Sequence, residues 1–159
     1  MTNVKKSSVS YASFKPSSPA ASKMGRGNTS TGTTPEKILQ AAMRKAGLRF
    51  RTNVRALPGC PDIVLRGSPV AVFCDGDFWH GRRWNRMREK MVKGANANYW
   101  IQKIEGNIRR DRAVNRSLRR LEWRVVRVWE SAVLADPDDV ASRILTTAKE
   151  RRTGHIRHI

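Results

Sequence analysis

The sequence predicts an α/β fold in which a mixed central sheet is flanked by helices on both sides. Three observations lead there. Apolar periodicities along the chain read helix, three strands, long helix, strand, helix, an order that buries one sheet between helical layers. Two short apolar runs, Ile63-Val64-Leu65 and Val70-Ala71-Val72-Phe73, are joined by Arg66-Gly67-Ser68-Pro69, whose Gly-Ser pair is a two-residue hairpin signal. From Asn98 to Leu121, Trp100, Ile104, Ile108, Val114 or Asn115, and Leu118 recur at three- and four-residue steps.

Taken in order, residues Met1 to Thr34 are rich in Ser, Thr, Gly and Lys and carry no acid, the composition of a disordered basic arm. Thr34 is the expected N-cap of the first helix, with Pro35 at its first position. Ile38, Leu39, Ala42 and Met43 form its apolar stripe, and Gly47 ends it. Leu48 to Val54 alternates as a strand. After the hairpin, Gly81 to Gly94 is strongly basic around Trp84, a loop or short helix suited to a nucleic-acid backbone through Arg82 and Arg83. Trp123 to Glu130 reads as a strand, and Asp136 to Glu150 as a final helix with Val140, Ile144 and Leu145 inward. The domain spans residues 35–150, and a basic tail, 151–159, follows. Its His155 and His158 have no Cys or acidic company that would make a metal site.

The chain of 159 residues carries a formal charge of +19, from 32 Lys and Arg against 13 Asp and Glu. That excess points to a polyanion, nucleic acid before an anionic membrane, since no apolar run approaches the roughly 20 residues that span a bilayer. Two cysteines, Cys60 and Cys74, imply neither a disulfide framework nor a zinc knuckle, and fit a reducing interior.

The chemistry gathers at the hairpin mouth. With Gly67 and Ser68 as the loop, Asp62 faces Phe73, so Asp62 and Asp75 share a side of the ribbon. Like charges so placed call for a cation, and a hard ion with oxygen ligands, Mg²⁺ above all, is the usual answer. Slipping the register by one residue would put Cys74 there instead, and two solvated aspartates are the plain alternative. Asn107 and Asp111 fall on the inward stripe of the long helix, where an acid needs a partner. A contact from Asp111 to His80 would settle that charge. Glu36, in the first turn of its helix, has a plain explanation in the helix dipole.

These residues resemble a known family. Leu57-Pro58-Gly59-x-Pro61-Asp62, Phe73-x-x-Gly76-x-Phe78-Trp79-His80, Trp100-x-x-Lys103-Ile104-x-x-Asn107-x-x-Arg110-Asp111 and Trp123-Arg124-Val125 with Val128-Trp129-Glu130 are similar to the blocks of the very short patch repair (Vsr) endonucleases, within the PD-(D/E)xK restriction-endonuclease-like nucleases. The match covers about Pro35 to Glu130. The resemblance implies a restriction-endonuclease-like three-layer fold and a Mg²⁺-dependent enzyme, with Mn²⁺ as a substitute, that nicks one strand of double-stranded DNA beside a T·G mismatch. It implies Asp62 as the central metal carboxylate and the backbone carbonyl of Cys74 as a second ligand. Glu36 resembles the glutamate that orients water at the metal, His80 the proton-transferring histidine, and Asn107 and Asp111 the polar residues of the long helix facing the site, with Asn107 and Arg110 expected to contact DNA. Phe78 and Trp79 resemble the aromatics that wedge beside the mismatch. A cytoplasmic, nucleoid-associated monomer is expected, working with other repair proteins and no membrane.

Some residues depart from the family pattern. Asp77 and Ser131 stand where cysteines of a structural zinc site are expected, and Gly81-Arg82-Arg83 replaces a His/Cys-bearing segment, so zinc is expected to be absent. Asp75 stands where a family histidine can occur, adding a metal ligand at the cost of a base. Rival readings are a restriction-like or defence-associated nuclease of the same fold, a catalytically silent module that binds distorted DNA, and a generic basic RNA- or ribosome-binding protein.

Overall fold

The computed structural model describes residues 31–94 and 96–154, with side chains to Glu150. Most of the expected basic arm (residues 1–30) and the two tail histidines lie outside the described residues. The elements run α1 (Thr34–Lys45), β1 (Phe50–Thr52), β2 (Ile63–Leu65), β3 (Val70–Asp75), α2 (Trp84–Met91), α3 (Ala97–Arg120), β4 (Arg124–Trp129), α4 (Glu130–Ala135) and α5 (Pro137–Gly154).

The four strands lie in chain order in one mixed sheet. Strands β1, β2 and β3 are antiparallel, and β4 joins β3 in parallel. The hairpin ladder pairs Ile63 with Val72 and Val64 with Ala71, the register that a Gly67-Ser68 turn dictates. A parallel neighbour needs a long crossover, which α2 and α3 supply.

Alternation along the strands divides the core in two. Ile63, Leu65, Val70 and Val72 pack with Leu39 and Met43 of α1, Val133 of α4 and Val140 and Ile144 of α5. Ala71 and Phe73 face the other way, against Leu118 and Val114 of α3, Leu57, Trp123 and Val125. This is the expected sheet between helical layers. Burying a side chain the size of Leu118 is worth about 2 kcal/mol, and several such contacts hold α3 to the sheet.

Three boundaries differ from expectation. The N-cap of α1 is Thr33, not Thr34, because Thr33 Oγ accepts from Glu36 N–H. The first strand is only three residues, ended by Asn53 at φ 50°. Helix α4 begins at Glu130, expected as the last strand residue, and continues to Ala135 through a stretch with no expected element, although its Ala-Val-Leu-Ala run is compatible with a helical turn. Among the described residues no helix is long and apolar enough to cross a membrane.

Candidate active site

Asp62 directly precedes β2 and is fixed from two sides. Its backbone carbonyl accepts from Asn53 N–H at 3.0 Å, and its side-chain Oδ2 accepts from Cys74 N–H at 2.8 Å. The Leu57–Pro61 turn that delivers it lies on α3. Gly59 has φ +77°, and a Cβ there would sit 2.4 Å from Val114 Cγ1, so only glycine serves both the backbone and the contact. Burial pushes the Asp62 carboxyl up to about 6; the Cys74 N–H opposes this, the charges of Glu36 and Asp75 add to it, and Arg127 subtracts. Glu36 is 3% exposed. Its Oε2 accepts from Gly32 N–H at 2.7 Å and its Oε1 from Thr33 Oγ at 2.9 Å, a variant of the capping box. The plain role at the helix start and the position beside Asp62 therefore coexist in one side chain.

Asp75 closes β3 at 4% exposure. The cation that the sequence required beside it is a guanidinium: Arg127 Nη1 donates to both Asp75 oxygens, at 2.7 and 2.8 Å. Asp75, expected as a metal ligand, thus gives one lone pair of each oxygen to this arginine. The reason is register. Arg127 pairs with Phe73 on the parallel β4, which sets it on the face shared by Phe73 and Asp75. Its Nη2 lies 3.1 Å from Asp111 Oδ1, its Nε donates to Asn115 at 3.1 Å, and its plane covers the Phe73 ring at 4.5 Å. Burial raises the Asp75 carboxyl, with Arg127 and His80 pulling against it.

Asp111 reaches His80 as well. His80 Nδ1 is 2.7 Å from Asp111 Oδ2 and 3.5 Å from Asp75 Oδ1. Burial works to lower the imidazole pKa, but the Asp111 hydrogen bond and the charges of Asp75 and Asp111 outweigh it, so His80 stands above its ordinary value. The expected partner of the inward-facing Asp111 is thus in place, and Nε2 is left as the nitrogen able to serve a substrate.

His80 sits in a loop that also presents the aromatics. Phe78 is 39% exposed and meets Trp79 edge-on at 5.1 Å and Trp100 at 5.9 Å. Lys103 lies over the rings of Trp79, Tyr99 and Trp100. Asn107 Nδ2 donates to the Trp79 carbonyl, and Arg110 in turn donates to Asn107, so Asn107 braces the loop from α3. Gly81, at φ +71°, lets the loop close on Ile108. Arg82, expected against DNA, is hydrogen-bonded to Asp77 and Ser131. Arg83 is exposed and lines two shallow grooves, one of about 390 Å³ with Phe78 and Met87 and one of about 470 Å³ with Trp84 and Arg86.

The contacts made by Arg127, Asn115, Ser131 and Glu130 go beyond what the sequence alone leads one to expect. A charge inside the apolar run Val125-Val126-Arg127-Val128 was the available signal, by the reasoning applied to Asp111. Among the described residues no three His, Cys, Asp or Glu side chains form a metal-holding group. Asp62 nevertheless suits a hard cation. One of its oxygens is held by Cys74 N–H, and its raised carboxyl marks a charge that a cation would relieve. Mg²⁺ commonly takes one or two carboxylates and completes its shell with water and phosphate oxygens.

The chain is similar to known proteins. The family described as DNA mismatch endonuclease Vsr matches residues 16–86. The type II nicking enzyme V.NmeDIP of Neisseria meningitidis serogroup C is 40% identical over 125 residues, 79% of this chain and 83% of that protein. V.HpaIIP of Haemophilus parainfluenzae, also named a type II nicking enzyme, is 38% identical over 120 residues, 76% of this chain and 84% of its own. The DNA mismatch endonuclease Vsr of Escherichia coli is 35% identical over 112 residues, 70% of each chain. With identity at this level across most of its length, the chain belongs to the Vsr family of DNA mismatch endonucleases.

Proposed function

We propose that this chain nicks one strand of duplex DNA beside a T·G mismatch, in a reaction that requires Mg²⁺ or Mn²⁺. Its family makes it an endodeoxyribonuclease; the metal and the mismatch are our reading. The observation that carries the reading is the convergence, at the end of β3, of a raised carboxylate (Asp62) and a histidine held by an acid (His80 on Asp111) beside an aromatic cluster whose Phe78 is exposed.

Asp62 and the Cys74 carbonyl would hold the metal, which when bound neutralises charge developing on the phosphate and lowers the pKa of water. Glu36, next to Asp62, would orient the attacking water. His80 donates or accepts a proton through Nε2 at the scissile phosphate, while Asp111 fixes the ring through Nδ1. Arg127 ties Asp75 and Asp111 into one rigid group, so that Asp75 acts by positioning and not as a ligand. Phe78, with Trp79 behind it, inserts at the base step. Unstacking costs a few kcal/mol, about, and a mismatch lowers that cost. Arg83, Arg110 and the exposed arginines of α3 take phosphates.

A second reading has support in the relatives named as type II nicking enzymes: the same chemistry directed by another DNA feature. One experiment separates them. Purified protein is incubated with end-labelled T·G and matched duplexes of the same sequence, with Mg²⁺ or EDTA. The proposal expects Mg²⁺-dependent nicking of one strand of the T·G duplex, at least about tenfold over the matched one. Equal nicking of both overturns the mismatch assignment and favours the second reading; binding without nicking overturns both.

A further inference from the structure

Within the loop that carries the wedge and His80, a second group of side chains takes no part in the chemistry above. Asp77 Oδ1 accepts from Arg82 Nη1 at 2.6 Å and from Ser131 Oγ at 2.8 Å, and Asp77 Oδ2 accepts from Ser131 N–H at 3.0 Å. Arg82 Nη1 also contacts Ser131 Oγ, Arg82 N–H donates to the Asp77 carbonyl at 2.9 Å, and Asp77 N–H donates to Glu130 Oε1 at 3.1 Å. Phe78, Trp79 and His80 lie between Asp77 and Arg82, so this node closes the loop at its base and fastens it to the start of α4.

We propose that Asp77, Arg82 and Ser131 form a metal-free clamp that positions the wedge and His80, doing here the loop-tying work for which the family pattern implies a structural zinc. The proposal rests on the nicking function given above. The donor set argues against zinc: a hydroxyl and a carboxylate replace thiolates, and a guanidinium occupies the space between them, where a second cation would meet repulsion. Electrostatics favour the clamp as a local device. Arg82 and Asp77 are each about one-third exposed or less, so the pair is screened less than a surface ion pair, and Ser131 adds two further hydrogen bonds to the same carboxylate. Arg82 is therefore a positioning residue, in contrast to the exposed Arg83 beside it.

The test uses full-length protein and the variants Asp77→Asn, Arg82→Gln and their double. A T·G duplex with 2-aminopurine next to the mismatch reports insertion of the wedge, and affinity is measured across a salt series. The clamp predicts that each single variant lowers single-turnover nicking roughly tenfold and weakens the 2-aminopurine response. It predicts matched-duplex affinity within about threefold of wild type, and a double variant no worse than the worse single, because linked residues are not additive. If Arg82 instead grips a phosphate, Arg82→Gln alone will weaken binding to both duplexes and reduce the salt slope by about one, while Asp77→Asn leaves nicking intact; that result overturns the proposal. Should Asp77→Asn fail to fold, Ser131→Ala replaces it, with the same criteria. Wild-type protein should contain no stoichiometric zinc and keep its Tm under a zinc-selective chelator. About one zinc per chain, with a lower Tm once it is removed, also overturns it. If wild type proves not to nick at all, the failure belongs to the functional reading, and the clamp is then judged by zinc content and by non-additivity of the variants in Tm.

Discussion

His80 is set by what touches it. Its hydrogen bond to Asp111 and the charges of Asp75 and Asp111 outweigh burial and raise its pKa. An imidazole raised in this way is the proton donor over a wider range, and activity that needs the protonated ring falls as pH rises through that raised value. Replacing Asp111 with Asn removes one charge and the strongest acceptor. The alkaline limb of the pH–rate profile should move down by about one pH unit or less, with the rate at its optimum lower by tenfold or more, roughly. An unmoved limb would mean that another group titrates there. Asp62 gives a stability prediction with the opposite trend from the usual carboxylate. Its pKa is raised in the fold, to about 6, so between the unfolded value near 4 and about 6 the native state binds more protons, and stability falls as pH rises through that window. Above it the penalty is complete, about 3 kcal/mol at most and nearer 1–2 with partial exposure allowed for. In EDTA at pH 8, Asp62→Asn should therefore raise Tm by roughly 2–8 °C, with a smaller gain at pH 5. A variant less stable than wild type at pH 8 would contradict the raised carboxyl.

At the scale of elements, the site depends on how closely two turns lie on α3. Gly59 would place a Cβ 2.4 Å from Val114 Cγ1, a β-branched side chain that cannot swing away, and at a positive φ besides. Gly59→Ala should cost about 2–4 kcal/mol by chemical denaturation. Gly81→Ala meets the far end of Ile108 at 2.6 Å, which can give, and should cost less, about 1–2 kcal/mol. Equal costs would mean the Leu57–Pro61 turn is not pinned by α3. Much of this level was legible beforehand. The Gly67-Ser68 turn fixed the hairpin register, and with it the neighbourhood of Asp62 and Asp75, because a period of two leaves no freedom once the loop length is known. The helical spacing of Asn107 and Asp111 demanded a partner, and His80 is that partner. What stayed hidden was pairing between segments far apart in the chain. Nothing local says that β4 lies parallel to β3 with Arg127 opposite Phe73, so the guanidinium beside Asp75 is not legible in the sequence. Likewise, it is the start of α4 beside the loop that brings Ser131 to the Asp77–Arg82 pair, a long-range contact no local pattern announces.

For the molecule as a whole, the charge of +19 is distributed with purpose. Arg109, Arg110, Arg112, Arg116, Arg119 and Arg120 are exposed along α3, which also carries Asp111 inward to the site, so one helix both presents a basic face and holds the histidine. Neutralising Arg112 and Arg116 together should lower the slope of log K against log salt by up to about two, equally for matched and mismatched duplexes. A loss confined to the mismatched duplex would place those residues in recognition and not in phosphate binding. The account as a whole rests on Asp62 holding a divalent ion at the phosphate while His80 moves a proton. Single-turnover nicking of a T·G duplex, titrated with Mg²⁺ for wild type and Asp62→Ala with DNA affinity measured in parallel, tests that most directly. The predicted result is saturable Mg²⁺-dependent nicking by wild type and a loss of about a thousandfold or more in the variant, with DNA affinity little changed. Nicking by Asp62→Ala at a rate near wild type, or nicking by wild type that persists in EDTA, would contradict it.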